Sequence, residues 1–426
     1  MYKYIRLSLK HILRSKLFII GQSKLVNKLF GYSKKELDDY NNKAFMDLFR
    51  YAYTYSEFYR QFYKEVGVEI NDIRSIKDIE KLPILTKDIV RDNIDKICIG
   101  NKRFMQKVST SGTTGNALSI YQSYKSVLVH RAYFDKYRKL CGVKSGDKVA
   151  SLRGHLDNKT FKLKLHIANT LYLSSYQINQ TKINDYYKAL NDFKPKVIEG
   201  YPSSLYNLCC ILKENSLKLN IPICFTSSET LYDFQRTLIE ETLNCRIFDW
   251  YGCTEHTIAI AEDLNHNGYF ELPGYSFNEF KDDHIITTSF INKNFPLIRY
   301  KVNDKIILKP NYTKARAIDP DISHIEGRAE SYIIAKNKTK YSRMMLFRGI
   351  SNIKLAQIVQ RKVGEMDINV VTYEPMKQEE KQTIINNIEE KFGKGNIDYN
   401  INSVEEKDII YTSRGKFNMV VSLLGQ

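Results

Sequence analysis

No uninterrupted apolar run in this sequence approaches the roughly 20 residues that a membrane-spanning helix needs. A secretory leader is not expected either, because Lys10, Arg14 and Lys16 break up any apolar stretch near the N-terminus. Cysteine is sparse and unpatterned: Cys98, Cys141, Cys209, Cys210, Cys224, Cys245 and Cys253, with one vicinal pair and no C-x-x-C. An odd count without a spaced framework fits a reducing cytoplasm and argues against a structural zinc site. The P-loop pattern G-x-x-x-x-G-K-[ST] is missing, so kinase or ATPase chemistry of that type is not supported. No internal repeat or low-complexity tract interrupts the chain. Acid is missing from the first 35 residues, which carry nine Lys/Arg before Glu36.

What is present is an ordinary globular composition. The 426 residues, 43% hydrophobic and 27% charged, suffice for two or three domains with a sizeable core. The net charge of +17 favours anionic partners without choosing among nucleic acid, anionic lipid and polyphosphate. Near the N-terminus Tyr2, Ile5, Leu9, Ile12 and Leu13 recur at near-helical spacing among the cations, which predicts a basic amphipathic helix. Two readings stand: a helix that caps the main domain, and a helix that rests on the anionic inner face of a membrane.

From residue 104 to about 300, apolar runs alternate with helical stretches. Val149–Leu152, Val197–Ile198, Ile223–Phe225 and Ile247–Trp250 read as buried strands. Asp185–Phe193, Ser203–Glu214 and Tyr232–Thr242 read as helices, and Thr86 as the cap of a helix from Lys87. The alternation predicts an α/β fold with a largely parallel sheet. His284–Phe290 and Leu297–Tyr300 are expected as strands of a separate region. After Arg328 the pattern predicts a small α+β domain, with Ser351–Val363 and Gln378–Phe392 as its helices and Tyr332–Ile334 and Ile368–Tyr373 as strands. The expected boundary falls near residues 327–331, giving domains 1–328 and 329–426.

Two segments carry chemistry. Ser109-Thr110-Ser111-Gly112-Thr113-Thr114-Gly115 packs five hydroxyl residues and two glycines into seven positions after an expected strand, Phe104–Val108. Such a loop can turn tightly and surround phosphate oxygens with N–H and O–H donors. Asp249-Trp250-Tyr251-Gly252-Cys253-Thr254-Glu255 follows an apolar run, where the end of a parallel strand delivers residues to a ligand. Its Glu255 is a hard oxygen donor suited to Mg²⁺.

Together these segments resemble the adenylate-forming enzyme superfamily. The first resembles its [ST]-[ST]-G-[ST]-T-G core, and Tyr251-Gly252-Cys253-Thr254-Glu255 its Y-G-x-[ST]-E. Pro296-Leu297-Ile298-Arg299-Tyr300 with Asp304, Ile325-Glu326-Gly327-Arg328, and Arg414-Gly415-Lys416 resemble later motifs in the same order. Leu82-Pro83-Ile84-Leu85-Thr86-Lys87 and Glu199-Gly200-Tyr201-Pro202-Ser203-Ser204-Leu205 are similar to the phenylacetate–CoA ligase-like group, in particular its members linked to capsular polysaccharide biosynthesis.

The resemblance implies a large N-terminal domain with mixed sheets flanked by helices and a small, mobile C-terminal domain. It implies activation of a carboxylic acid with ATP and Mg²⁺, then transfer to CoA or another acceptor such as an amino sugar. On it, Thr113, Thr114 and Gly115 belong to the pyrophosphate loop with Ser109 through Gly112. Glu255 holds Mg²⁺, Tyr251 lies near the adenine beside Gly252 and Thr254, Asp304 and Arg328 serve the ribose, and Lys416 bridges phosphate and carboxylate. Three positions depart from the pattern: Asn116-Ala117 where x-Pro is common, Asn303 where Gly precedes the ribose Asp, and Glu330 at the hinge. Two other classes remain as alternatives, a nucleotide-binding interaction protein that has lost catalysis and a basic nucleic-acid binder. The presence of Glu255, Asp304, Arg328 and Lys416 speaks against the first, and the lack of any zinc-finger or RNA-binding aromatic motif against the second.

Overall fold

The computed structural model describes the chain except residues 1–15, 110–117, 157–158, 282–283, 311–312, 329–332, 342–345, 348–349, 351, 412–416 and 425–426. The chain divides into two compact units, Met1–Ile325 and Glu326–Gln426.

The first unit begins with helices α1 (Lys16–Leu29), α2 (Lys34–Tyr55), α3 (Glu57–Lys64) and α4 (Lys87–Asp92). Side chains start three of them. Ser33 and Glu36 form a reciprocal cap on α2, Ser56 accepts the Tyr59 N–H at 3.4 Å, and Thr86 accepts the Ile89 N–H at 3.3 Å. Val26 and Leu29 of α1 and the adjoining Phe30 are buried in one apolar cluster with Tyr133, Phe270 and Tyr275. This stretch therefore packs on the body of the unit. Tyr2, Ile5, Leu9, Ile12 and Leu13, which carry the expected basic amphipathic helix in either of its two readings, lie outside the described residues. No described helix is long and apolar enough to cross a membrane.

A hairpin follows, β1 (Met105–Ser109) and β2 (Ser119–Ser123), then α5 (Tyr124–Leu140). Next come β3 (Val149–Leu152), β4 (Lys162–Leu165), β5 (Thr170–Leu173), α6 (Ile183–Phe193), β6 (Val197–Gly200), α7 (Pro202–Glu214), β7 (Ile223–Ser227), α8 (Asp233–Leu243) and β8 (Arg246–Gly252). The unit continues with β9 (Ala259–Glu262), β10 (Tyr269–Glu271), β11 (Ser276–Phe280), β12 (Ile285–Ser289), β13 (Tyr300–Val302), β14 (Asp304–Leu308) and β15 (Ile322–Arg328), the last running past the unit boundary.

One ten-stranded sheet has the order β14-β15-β10-β9-β8-β7-β6-β3-β5-β4. Its middle, from β5 through β3, β6 and β7 to β8, is parallel, and antiparallel strands extend it on both sides. Each residue of β3 and β7 is buried, as a parallel sheet covered by helices requires. The chain leaves β3 toward β5 and returns to β6 on the other side of β3, so the strand order reverses there. At such a switch point the carboxyl ends of the strands form a ligand crevice. A second, three-stranded sheet, β11-β12-β13, is antiparallel.

Arg299 joins distant parts of the unit. Its Nε and Nη2 donate to both oxygens of Glu279 at 3.0 and 2.8 Å, and its Nη1 donates to the carbonyls of Glu80 and Leu82. Both members of the pair are nearly buried, at 8% and 9% side-chain exposure. The backbone of Leu85 exchanges two bonds with the chain around Arg299, Leu85 N to Arg299 O and Lys301 N to Leu85 O, each 2.9 Å. Arg299 itself sits at φ 51°, in the left-handed region. This corrects the expected strand Leu297–Tyr300: the left-handed residue breaks the extended run, and the strand begins only at Tyr300.

The second unit carries β16 (Ile333–Ile334), β17 (Lys340–Tyr341), β18 (Ile353–Lys362), β19 (Glu365–Thr372), α9 (Gln378–Phe392), β20 (Asp398–Ser403) and β21 (Val420–Ser422). A four-stranded sheet has the order β20-β19-β18-β21. The expected helix Ser351–Val363 is instead the long strand β18. Gln357 and Gln360 within it are fully buried. Gln357 bonds the backbone of Ile410 and Asn418, and Gln360 that of Ile334 and Glu365. A strand buried on both faces needs no alternation once such amides satisfy loop backbone.

The buried Arg299–Glu279 pair generates a first prediction. Arg299→Leu leaves the Glu279 carboxylate buried without its partner and should destabilise the first unit by about 3–5 kcal/mol, read from urea unfolding. The double variant Arg299→Leu/Glu279→Leu should recover much of that loss. Equal instability of the single and double variants would show that the carbonyl bonds to Glu80 and Leu82, not the ion pair, hold the segment.

Candidate functional site

The carboxyl end of β8 delivers Tyr251 and Gly252, and the turn after it delivers Cys253, Thr254 and Glu255. The turn is fixed from three directions. Gln122 on β2 donates to the Thr254 carbonyl at 2.8 Å. On β12, Thr287 donates to the Thr257 carbonyl and Ser289 to the His256 carbonyl, both at 2.8 Å. The Tyr300 hydroxyl on β13 donates to Glu255 Oε1 at 3.0 Å. His256 sits at φ 54°, and its N–H reaches back to the Cys253 carbonyl at 3.0 Å. Glu255 is only 6% exposed, and its Oε2 meets no hydrogen-bond donor among the described residues.

A second carboxylate stands beside the first. Asp304, the first residue of β14, accepts the Tyr251 hydroxyl on Oδ2 at 2.5 Å. Burial raises the Tyr251 phenol well above its usual value, with the Asp304 charge adding to the shift, and the Tyr300 phenol rises by burial and by the Glu255 charge. Both phenols are therefore hydrogen-bond donors at any ordinary pH. Cys253 is also inert as a thiolate, because burial lifts it to about 12, and its Sγ lies 3.0 Å from Thr257 Oγ1.

The structure thus brings Tyr251, Gly252, Thr254, Glu255 and Asp304 together at one edge of the sheet. Ser109 ends β1, exposed, with its Oγ 2.9 Å from that of Ser119 across the hairpin. Since β2 also carries Gln122, the strands that flank Thr110–Gly115 are tied to the Thr254 turn. Thr110, Ser111, Gly112, Thr113, Thr114 and Gly115 themselves lie outside the described residues, as do Glu330 and Lys416. Arg328 closes β15 in the second unit. Among the described residues no group of three His, Cys, Asp or Glu side chains is arranged to hold a metal ion. A cation at Glu255 would take one protein carboxylate and complete its shell from phosphate and water, the pattern usual for Mg²⁺.

Sequence reasoning missed the supports: Gln122, Thr287, Ser289 and the Tyr300 hydroxyl. Only Tyr300 lay inside a recognised motif, and nothing in its spacing signals a partner 45 residues away. It also missed a polar cluster around Glu199 in the same sheet. Arg138 on α5 donates to Glu199 on β6 at 3.1 Å. Burial alone would raise the Glu199 carboxyl, but Arg153 and Arg138, with His155 and Arg131, outweigh it and bring it to about 2. His130 on α5 stacks on His256 with ring centroids 4.0 Å apart and also lies 2.9 Å from the Tyr275 hydroxyl.

Directly under the site, Asp249 on β8 is held at about 7, chiefly by burial and further by the nearby Glu262, against the lowering effects of Thr226, Arg236 and Tyr269. The Thr226 hydroxyl donates to its Oδ1 at 2.6 Å. The folded value exceeds the ordinary 3.8, so between the two the folded state binds the extra proton. Stability should therefore fall as pH rises from about 4 to about 7. Asp249→Asn should flatten that slope, checked by urea midpoints of variant and parent across this range; an unchanged slope would show that other groups set it.

Residues 333–423 match the family model for the CapK C-terminal domain. The chain is 27% identical to Protein CapK of Staphylococcus aureus over 79% of its own length and 78% of that protein. It is 22% identical to a phenylacetate–coenzyme A ligase of Pseudomonas putida, over 67% of this chain and 69% of the relative. Among solved structures, a 2-hydroxyisobutyryl-CoA ligase in a postadenylation state superposes with a TM-score of 0.74 at 14% identity, over 93% of this chain and 91% of that one. The chain therefore has the fold of the adenylate-forming ligases, is similar in sequence to phenylacetate–coenzyme A ligases and to Protein CapK, and ends in a domain that matches the CapK C-terminal family.

Proposed function

We propose that this protein is an ATP-dependent ligase that converts a carboxylic acid to its acyl-adenylate and passes the acyl group to coenzyme A or another nucleophile such as an amino sugar. The observation that carries this reading is the pair of carboxylates at the end of β8, each oriented by a buried tyrosine hydroxyl: Glu255 by Tyr300 and Asp304 by Tyr251. In the reaction, a carboxylate oxygen of the acid bonds to the α-phosphorus of ATP and pyrophosphate leaves. The acceptor then attacks the acyl carbonyl and AMP leaves.

Each residue suits a part of this. With Oδ2 taken by Tyr251, Asp304 keeps Oδ1 for a ribose hydroxyl. Glu255 Oε2 would hold Mg²⁺, whose charge offsets that of the departing pyrophosphate. The Ser109–Gly115 segment would cradle the phosphates through N–H and O–H donors, with Thr113 nearest the chemistry. Arg328 would assist at the ribose and Lys416 would supply the cation for charge developing on phosphate and carboxylate. The second unit, on this reading, moves between the two half-reactions. The likeness to Protein CapK supports a place in the assembly of a capsule or other surface polysaccharide.

Asp304→Ala should weaken ATP binding, measured by calorimetry, by about 1.5–3 kcal/mol for each charge-assisted bond lost, with acid binding less affected. Parental ATP affinity in that variant would remove Asp304 from the ribose.

Lys416→Ala should reduce acid-dependent ATP–pyrophosphate exchange by several orders of magnitude, as expected for an oriented cation at developing charge, while leaving the unfolding transition unchanged. Exchange at the parental rate would take Lys416 out of the adenylation step.

A further inference from the structure

Three guanidinium groups surround one phenylalanine. Arg138, Arg153 and Arg131 lie with their Cζ atoms 5.5, 5.7 and 6.0 Å from the Phe134 ring centroid. Two of them have carboxylates: Arg138 pairs with Glu199 at 3.1 Å and Arg131 with Asp135 at 3.0 Å. Arg153 has none. Its Nε and Nη2 are fully buried and meet no hydrogen-bond partner among the described residues. Three guanidinium groups thus share two carboxylates, with Glu199 feeling the charge of both Arg153 and Arg138, and Arg153 is the one with two buried donors unused. Buried donors left unpaired cost stability, and native folds leave few of them without a reason.

Its position supplies the reason. Arg153 directly follows β3, at the strand switch. Gly154, next along, sits at φ 64°, and a Cβ there would lie 3.5 Å from the Tyr176 hydroxyl and 3.7 Å from Tyr201. Those residues follow the carboxyl ends of β5 and β6, so the ends of three adjacent parallel strands converge around Arg153. The Phe134 ring under the guanidinium also meets the Trp250 ring edge-on at 5.1 Å, and Trp250 immediately precedes Tyr251. The β3 and β8 ends are separated by three strand spacings in the sheet order, roughly 14 Å. Arg153 therefore lies on the same crevice edge as Glu255 but three strands away from it.

We propose that the strand ends around Arg153 form a subsite for a second anionic group, a carboxylate or a phosphate ester, carried by the acid substrate at the end remote from the carboxylate that is adenylated. The proposal rests on the ligase reading above. A planar guanidinium with free donors matches either group in a bidentate arrangement. Arg131 and Arg138 each hold a carboxylate in an ion pair, so direct bonds to the remote anion fall chiefly to Arg153.

The test uses the full chain and acids of matched length: glutarate, adipate and 4-phosphonobutyrate against butyrate and hexanoate. Exchange of pyrophosphate into ATP and calorimetric binding of each acid are measured for the parent, Arg153→Met and Arg153→Lys. The parent should prefer the dianionic acids by about tenfold or more in kcat/KM. Arg153→Met should lose that preference through a raised KM for dianionic acids with KM for ATP unchanged, and Arg153→Lys should retain part of it. Preference for 4-phosphonobutyrate over the dicarboxylates would assign the phosphate source, and the reverse the carboxylate. Binding of dianionic acids that depends on Arg153, without exchange, would uphold the subsite and overturn the ligase reading. Exchange or binding that ignores the second charge in the parent, or a preference that survives in a folded Arg153→Met, would overturn the subsite. If Arg153→Met does not fold, the parent's own discrimination together with Arg153→Lys decides.

Discussion

The first unit depends on the buried guanidinium of Arg299. Four of its bonds run to Glu279 and to the carbonyls of Glu80 and Leu82, so segments more than 200 residues apart in the chain share one charged side chain. A buried charge of this kind is tolerable only when its partners are complete, which makes the arrangement all-or-none. The consequence reaches the site directly. Tyr300 and Asp304 lie one and five residues further along, and both contribute to the carboxylate pair. The helices before residue 100 therefore take part in holding the site without touching it: Tyr59 on α3 donates to the Pro296 carbonyl at 2.6 Å, three residues before Arg299.

The pairing of each carboxylate with a phenol is an electrostatic choice. A tyrosine hydroxyl whose ionisation is suppressed by burial can donate but brings no charge, so each phenol orients its carboxylate without forming an ion pair with it. An arginine in either place would neutralise the group it orients. The opposite solution is used around Phe134, where three guanidinium groups share the carboxylates of Glu199 and Asp135. Two polar regions on one sheet edge thus have different characters, acidic at β8 and cationic at β3.

Much of this architecture was legible in the sequence. The alternation of apolar runs and helical stretches gave the parallel sheet, Thr86 gave a helix start, and Gln378–Phe392 matched its helix in full. The motifs named Tyr251, Glu255 and Asp304. What spacing could not show was how they pair, because the bonds Tyr251–Asp304 and Tyr300–Glu255 join strands by tertiary packing. The arginines around Phe134 were hidden for the same reason, coming from a helix and a strand end with ordinary local patterns. The misread strand β18 has a different cause. A buried glutamine and a solvent-facing one look alike in sequence, and only the backbone groups that Gln357 and Gln360 satisfy tell them apart.

The hairpin β1–β2 stands outside the ten-stranded sheet, and two strands alone are marginally stable in water. Three of the five residues of β1 are exposed, and the bonds that anchor the hairpin to the body run mostly through β2: Gln122 to Thr254, and Asn292 to Tyr121 and Ser123. The outer strand can therefore open while the inner one remains attached to the Thr254 turn. Local opening of this kind costs less than unfolding of the sheet. Opening at β1 would thus leave β2, and with it the Gln122 bond that fixes the Thr254 turn, in place.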